Sequence, residues 1–235
     1  METYILLLIL AGIVALDTTG GPQMLLSEPV VSCSLAGFLF GDPETGFMIG
    51  TFFQLIWFGF LPLGAVKIPD VNMGALIAVA SLLGAMDTFG LAGDAAQAAI
   101  LPALVWGWIA GSIGSRLQTA VRRNNSRLSE HITGRIERGE DVSVAPWHLL
   151  GMATSFTRGI AMTAVLAPAG AVLCGLTIHA MSGMTKGLAV SVPMLWGTAC
   201  ASAAIVSLLK GRTKPLVIGA LAGTLWIVTV IMRSA

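Results

Sequence analysis

GFLFGDPETGFMIGTFFQLIWFGFLPLGAVKIPD, Gly37 to Asp70, is apolar enough to sit in lipid, yet it carries Asp42, Glu44, Gln54, Lys67 and Asp70. It is punctuated by Gly37, Gly41, Gly46, Gly50, Gly59 and Gly64 and by Pro43, Pro62 and Pro69. A plain membrane anchor needs none of these. Charges in hydrocarbon are costly and mark bundle interiors, water-filled cavities or substrate paths. Interrupted helices at membrane depth are tolerated only where their backbone is buried in protein or lines such a cavity. The stretch therefore reads as one wall of a solute site, held in place by the other spans.

Upstream, Tyr4 to Leu16 is apolar but shorter than the roughly 20 residues that cross a bilayer. It runs into Asp17-Thr-Thr-Gly-Gly-Pro-Gln23, a turn signature placed where a span should continue. Glu2 and the lack of a nearby base or clear cleavage site make it a retained first span, not a signal peptide. Val30 to Phe40 and Phe47 to Leu63 are two more short apolar runs. Short runs broken by Gly, Pro and acids point to interrupted helices around a midplane site.

The whole chain supports a membrane setting. Its 235 residues are 55% hydrophobic and only 11% charged, against about 25% charged in a soluble domain, and the mean hydropathy is +0.85. The expected fold is all-α: a polytopic membrane bundle with broken or re-entrant helices, forming one integral domain over residues 1–235. Within it, 1–114 hold the N-terminal spans and candidate site, 115–146 a polar segment, and 147–235 the C-terminal spans. Ala75–Met86, Ala95–Ile113, Gly159–Met181, Gly187–Leu209 and Leu216–Met232 are the further apolar runs, with Trp147–Thr157 interfacial.

Charge is sorted along the chain. Residues 1–115 carry eight acids and one base, Lys67, whereas residues 142–235 carry six bases and no acid. Six arginines between Arg116 and Arg138, and the run Lys210-Gly-Arg-Thr-Lys214, place both segments on the cytoplasmic side. Leu117, Val121, Leu128, Ile132 and Ile136 are spaced for an amphipathic helix at the membrane face or against a cytoplasmic partner; a solvated loop is the other reading. No basic patch interleaved with aromatics suggests nucleic acid. Cys33, Cys174 and Cys200 lie in apolar runs without ligand spacing and read as buried hydrophobes, so neither metal nor cofactor is expected.

Six residues are candidates for solute contact. The Gln54 amide offers donor and acceptor to a solute hydroxyl, or else an interhelical hydrogen bond. Asp70 accepts hydroxyls or caps the helix after it, and the two roles can coexist. Lys67 pairs with Asp70 or Asp42. Trp57 stacks on a solute ring or packs. Asp17 and Gln23 flank the Gly20-Gly21-Pro22 turn and face a solute or cap the turn. His131, His148 and His179 lack a phosphate-cradling context, so no catalytic residue is expected and the chain is not expected to carry phosphate or to be catalytic alone.

Gly41-Asp42, Gly46, Gly50-Thr51, Gln54, Gly59, Gly64-Ala65 and Pro69-Asp70 resemble the IIC subunit of the mannose/fructose/sorbose family of the bacterial phosphotransferase system. Pro29, the arginine-bearing central segment, Trp147 and Arg158 also fall in family-like places. The resemblance implies a multi-pass protein of the bacterial cytoplasmic (inner) membrane. It implies a hexose-like sugar as substrate, a IID membrane partner, and phosphate delivered by a cytoplasmic IIB subunit charged by IIA, in a hetero-oligomer embedded in lipid. Gln54 where the family often has Glu, Glu28 where Arg is common, Pro62 and Lys67 depart from the pattern and bear on which sugar is carried. An ion- or proton-coupled transporter, using Asp17, Glu28, Asp42 and Asp70, and a structural assembly subunit are the competing readings.

Overall fold

The computed structural model describes residues 2–21, 23–57 and 69–208, with only the helical backbone at 19, 196 and 200–208. Every regular element among them is helical: α1 (Glu2–Thr19), α2 (Pro29–Phe40), α3 (Pro43–Trp57), α4 (Val71–Phe89), α5 (Asp94–Glu137), α6 (Ala145–Ala180) and α7 (Thr185–Leu208), with a single 3-10 turn at Ser182–Met184 before α7. Lys67, the run after Trp57 up to Leu63, the loop Lys210–Lys214 and the last expected span lie outside the described residues.

α4 is the axle of the bundle. Every residue from Met73 to Ala85 is buried, as expected of a helix apolar all round. α6 runs parallel to it and α5 antiparallel. Gly74 faces Gly107 and Gly111 so closely that a Cβ on it would strike the Gly107 carbonyl. Such small-residue contacts let backbones approach where lipid supplies no hydrophobic drive between helices. Trp106 donates to the Leu166 carbonyl (2.8 Å) and Ser81 to the Ala167 carbonyl (3.2 Å), joining α5 and α4 to the turn of α6 that precedes Pro168. α1 lies antiparallel along α6, where Gly159 packs against Ala11 and Ala15, and Gly12 against the Phe156 ring.

The interrupted region is α2 and α3. At about 1.5 Å per residue they are about 18 and 22 Å long, short of the roughly 30 Å hydrocarbon core. They form a hairpin. Gly41 is left-handed (φ 80°), and the Asp42 N–H returns to the Gly37 carbonyl at 2.9 Å. Asp42 then starts α3 by accepting from the Thr45 N–H at 3.0 Å, so it is a turn and cap residue. Gly46 sits on the Cys33 carbonyl and Gly37, and Gly50 on the Pro29 carbonyl, with no space for a side chain.

Three boundaries differ from the sequence expectation. α1 continues through Asp17 to Thr19, so the turn begins at Gly20. Of the two readings of the polar segment the helix holds as far as Glu137, but not as a separate element: α5 is one 44-residue helix that carries the apolar span directly into the arginine-rich part, and residues 138–144 connect it to α6. Trp147–Thr157 is likewise the first part of the 36-residue α6. Among the described residues α4, α5 and α6 are each long and apolar enough to cross a membrane. At the C-terminus of α5, Arg135 of its last turn and Arg138 close on Glu140 at 2.6 and 2.9 Å, and these hydrogen bonds hold its carboxyl below the usual range.

Candidate functional site

Two charged side chains are buried together where α4 begins. Arg158 of α6 donates from Nη1 to Asp70 Oδ2 at 2.5 Å, with side chains only 4% and 1% exposed. Asp70 Oδ1 accepts from the Met73 N–H at 3.3 Å, capping α4, and the Asp70 N–H donates to the Gly111 carbonyl at 2.8 Å. Gly114 makes the hollow in α5 that admits the Asp70 side chain; a Cβ there would meet it. Of the two roles read for Asp70, the cap is present, and its second oxygen serves Arg158. Arg158 Nη2 is buried with no hydrogen-bond partner among the described residues.

A second polar pair lies where the start of α2 meets the end of α3. Gln54 Nε2 donates to Glu28 Oε2 at 2.7 Å, while Gln54 Oε1 is buried and has no hydrogen-bond partner among the described residues. Glu28 precedes Pro29 at the N-cap position but makes no side-chain cap bond, so its carboxylate is directed to Gln54. One turn further along α3, Trp57 stacks on Trp108 of α5, ring centroids 5.5 Å apart and 20° from parallel.

Asp17 shapes the α1–α2 turn. Its Oδ1 accepts from the Met24 N–H at 2.5 Å and its Oδ2 from the Ser27 N–H at 2.9 Å. Both oxygens are spent on backbone, and the turn they hold places Gln23 and Leu25 in left-handed conformations, φ 51° and 62°. Gln23 faces a cavity of about 640 Å³ between this turn, α5 and the start of α6, lined also by Gln118, Arg122, Asn125, Ser155 and Arg158. A smaller cavity of about 280 Å³ with Trp147 and His148 adjoins it through Asn125 and Ser129. No group of three or more His, Cys, Asp or Glu that could hold a metal occurs among the described residues.

Of the six candidates, the structure thus pairs Gln54 with Glu28, Asp70 with Arg158 and Trp57 with Trp108, folds Asp17 into a turn, and sets Gln23 in the cavity wall; Lys67 lies outside the described residues. Arg158 was not among them. Its signal was present: it is the only Asp, Glu, Lys or Arg between Asp141 and Lys186, and a lone charge in an apolar segment is rarely idle.

The family model for the phosphotransferase-system sorbose-specific IIC component matches residues 1–201. The chain belongs to this family. The sorbose-specific IIC component of Lacticaseibacillus casei is 36% identical over 50 residues, 21% of this chain and 18% of that protein. The mannose-specific IIC component of Escherichia coli K12 is 30% identical over 95 residues, 38% of this chain and 35% of that protein. The chain thus spans about a third or less of those two relatives. The fold of this IIC chain is also that of a chain in the electron cryomicroscopy structure of the mannose transporter ManYZ with microcin E492. The TM-score is 0.57 at 18% identity, covering 99% of this chain and 93% of that one.

Proposed function

We propose that this chain is the membrane-embedded IIC subunit of a sugar phosphotransferase permease of the bacterial inner membrane. It binds a hexose-like sugar between its interrupted helices and moves it inward. A IID subunit accompanies it in the membrane, and a cytoplasmic IIB subunit, charged by IIA, phosphorylates the sugar. The observation that carries this reading is the Gln54 amide. It is half-buried between two short helices, oriented by Glu28, and its oxygen has no partner among the described residues. Unpaired buried acceptors are costly, and a sugar hydroxyl is a donor that would satisfy this one. The Glu28 carboxylate beside it supplies a further acceptor.

The other candidates take supporting roles. Asp70 holds Arg158 and starts α4. Asp17 fixes the turn that carries Gln23, and the Trp57–Trp108 stack packs α3 on α5. Lys67 remains a candidate from sequence. The positive-inside rule sets the α5–α6 end of the bundle on the cytoplasmic side. Uptake of a labelled sugar panel, with and without the accompanying subunits, tests the reading: sugar should accumulate only with them, and as its phosphate ester. Accumulation of unmodified sugar driven by a proton gradient would instead establish a coupled carrier.

A further inference from the structure

We propose that the cavity between the α1–α2 turn, α5 and the start of α6 is a binding site for a sugar phosphate, with its phosphate group held by Arg122 and Arg158. The inference rests on the reading of this end of the bundle as the cytoplasmic side, where the phosphorylated product is released.

The lining divides into two chemistries. Gln23, Gln118, Asn125 and Ser155 offer amides and a hydroxyl, which donate to and accept from sugar hydroxyls. Arg122 and Arg158 bring two guanidiniums, and no carboxylate is among the described residues that line the cavity. Among the described residues the one acid paired with these arginines is Asp70, and it occupies only Nη1 of Arg158. Nη2 of the same guanidinium is buried without a partner, and Arg122 makes no ion pair among the described residues. A planar fork with an unsatisfied arm fits a tetrahedral oxyanion, because arginine binds phosphate through paired charge-assisted hydrogen bonds. A phosphate monoester carries about −1.5 to −2 charge at neutral pH; Arg122, Arg158 and Asp70 together bring +1, which offsets roughly half to two-thirds of it. The volume, about 640 Å³, lies in the range of small-molecule sites, about 300–1,000 Å³, and exceeds the need of a bare phosphate. The Glu28–Gln54 pair has the opposite character, a carboxylate and an amide, and suits a neutral sugar. The bundle thus carries one site for a neutral solute and another for its anionic ester.

The test uses the full chain purified in maltoside detergent, with inorganic phosphate and glucose 6-phosphate as probes and ³¹P line broadening as readout. Wild type should broaden both signals. Arg122→Gln should weaken both by about tenfold, the factor given by about 1.4 kcal/mol. Arg122→Lys should recover part of the loss, and binding of unphosphorylated sugars should not change in either variant. Phosphate binding that disappears in Arg122→Gln while neither protein binds sugar would support this site and overturn the sugar-carrier reading. No broadening in wild type, or equal losses for sugar and phosphate in Arg122→Gln, would overturn the proposal. A phosphate signal present in phosphatidylcholine nanodiscs but abolished in phosphatidylglycerol nanodiscs would also overturn it, because a lipid headgroup would then be the occupant.

Discussion

Removing the charge of Asp70 while keeping its shape isolates what the buried ion pair contributes. Asn caps a helix about as well as Asp, so Asp70→Asn leaves the start of α4 served by the same Met73 N–H. What it removes is the counter-charge of Arg158, whose side chain is 4% exposed and whose Nη2 has no partner among the described residues. Breaking one side of a buried pair costs about 3–5 kcal/mol, because the survivor is left charged in low dielectric. Arg158→Met should cost a similar amount, stranding the Asp70 carboxylate in its glycine hollow. The double variant Asp70→Asn/Arg158→Met buries no net charge and should lose less than about 3 kcal/mol, well short of the two single losses combined. Denaturant unfolding in detergent, followed by tryptophan fluorescence, measures all three. A loss below about 1 kcal/mol for Asp70→Asn, or a double variant as unstable as both singles added, would refute the claim that these groups are mutually compensated.

Gln54→Leu should assemble normally but bind sugar about 5- to 150-fold more weakly, the equivalent of about 1–3 kcal/mol for one unpaired buried hydrogen bond; unchanged affinity by titration would move the site elsewhere. Gly46→Ala should destabilise by about 1–3 kcal/mol through overpacking against the Cys33 carbonyl and Gly37, whereas Gly134→Ala, on an uncrowded turn of α5, should stabilise by up to about 1 kcal/mol through helix propensity. Both are read from the same unfolding curves. Cysteines placed at Ser143, in the exposed α5–α6 connection, and at Thr213 should resist an impermeant maleimide added to intact cells and react after lysis; labelling from outside at either would invert the topology. His131→Ala, His148→Ala and His179→Ala should each leave phosphate flow to sugar intact, and a phosphohistidine mapped to any of them would overturn the carrier-only role.

What was legible in the sequence was what is local. Glycine and proline at Gly41-Asp42-Pro43 announced the α2–α3 turn because left-handed backbone and a fixed φ are properties of single residues. Asp70 announced its cap because the N–H it serves lies three residues on. The partners of the site were not legible, since they depend on which helices pack together. Glu28 and Gln54 are 26 residues apart, and Asp70 and Arg158 are 88 apart. The length of α5 was hidden for another reason. Composition changes sharply near Arg116, which reads as a boundary, but nothing there breaks a helix. Solvent preference and backbone continuity are separate properties, and only the first changes at that point.

That continuity gives α5 a mechanical meaning. It is clamped against α4 at Gly107 and Gly111, and its remaining 26 residues after Gly111 extend about 39 Å to Glu137, moving together with the part of α6 that braces them at Asn125–Thr154 and His131–Trp147. A rotation of about 10° at the clamp would sweep the far end of the arm through about 7 Å by that geometry. A shift of α4 too small to alter the contacts around Asp70 would therefore be amplified where a protein outside the membrane can feel it. A partner gripping the tip of α5 would, in turn, hold leverage over the end of α4 that the ion pair anchors.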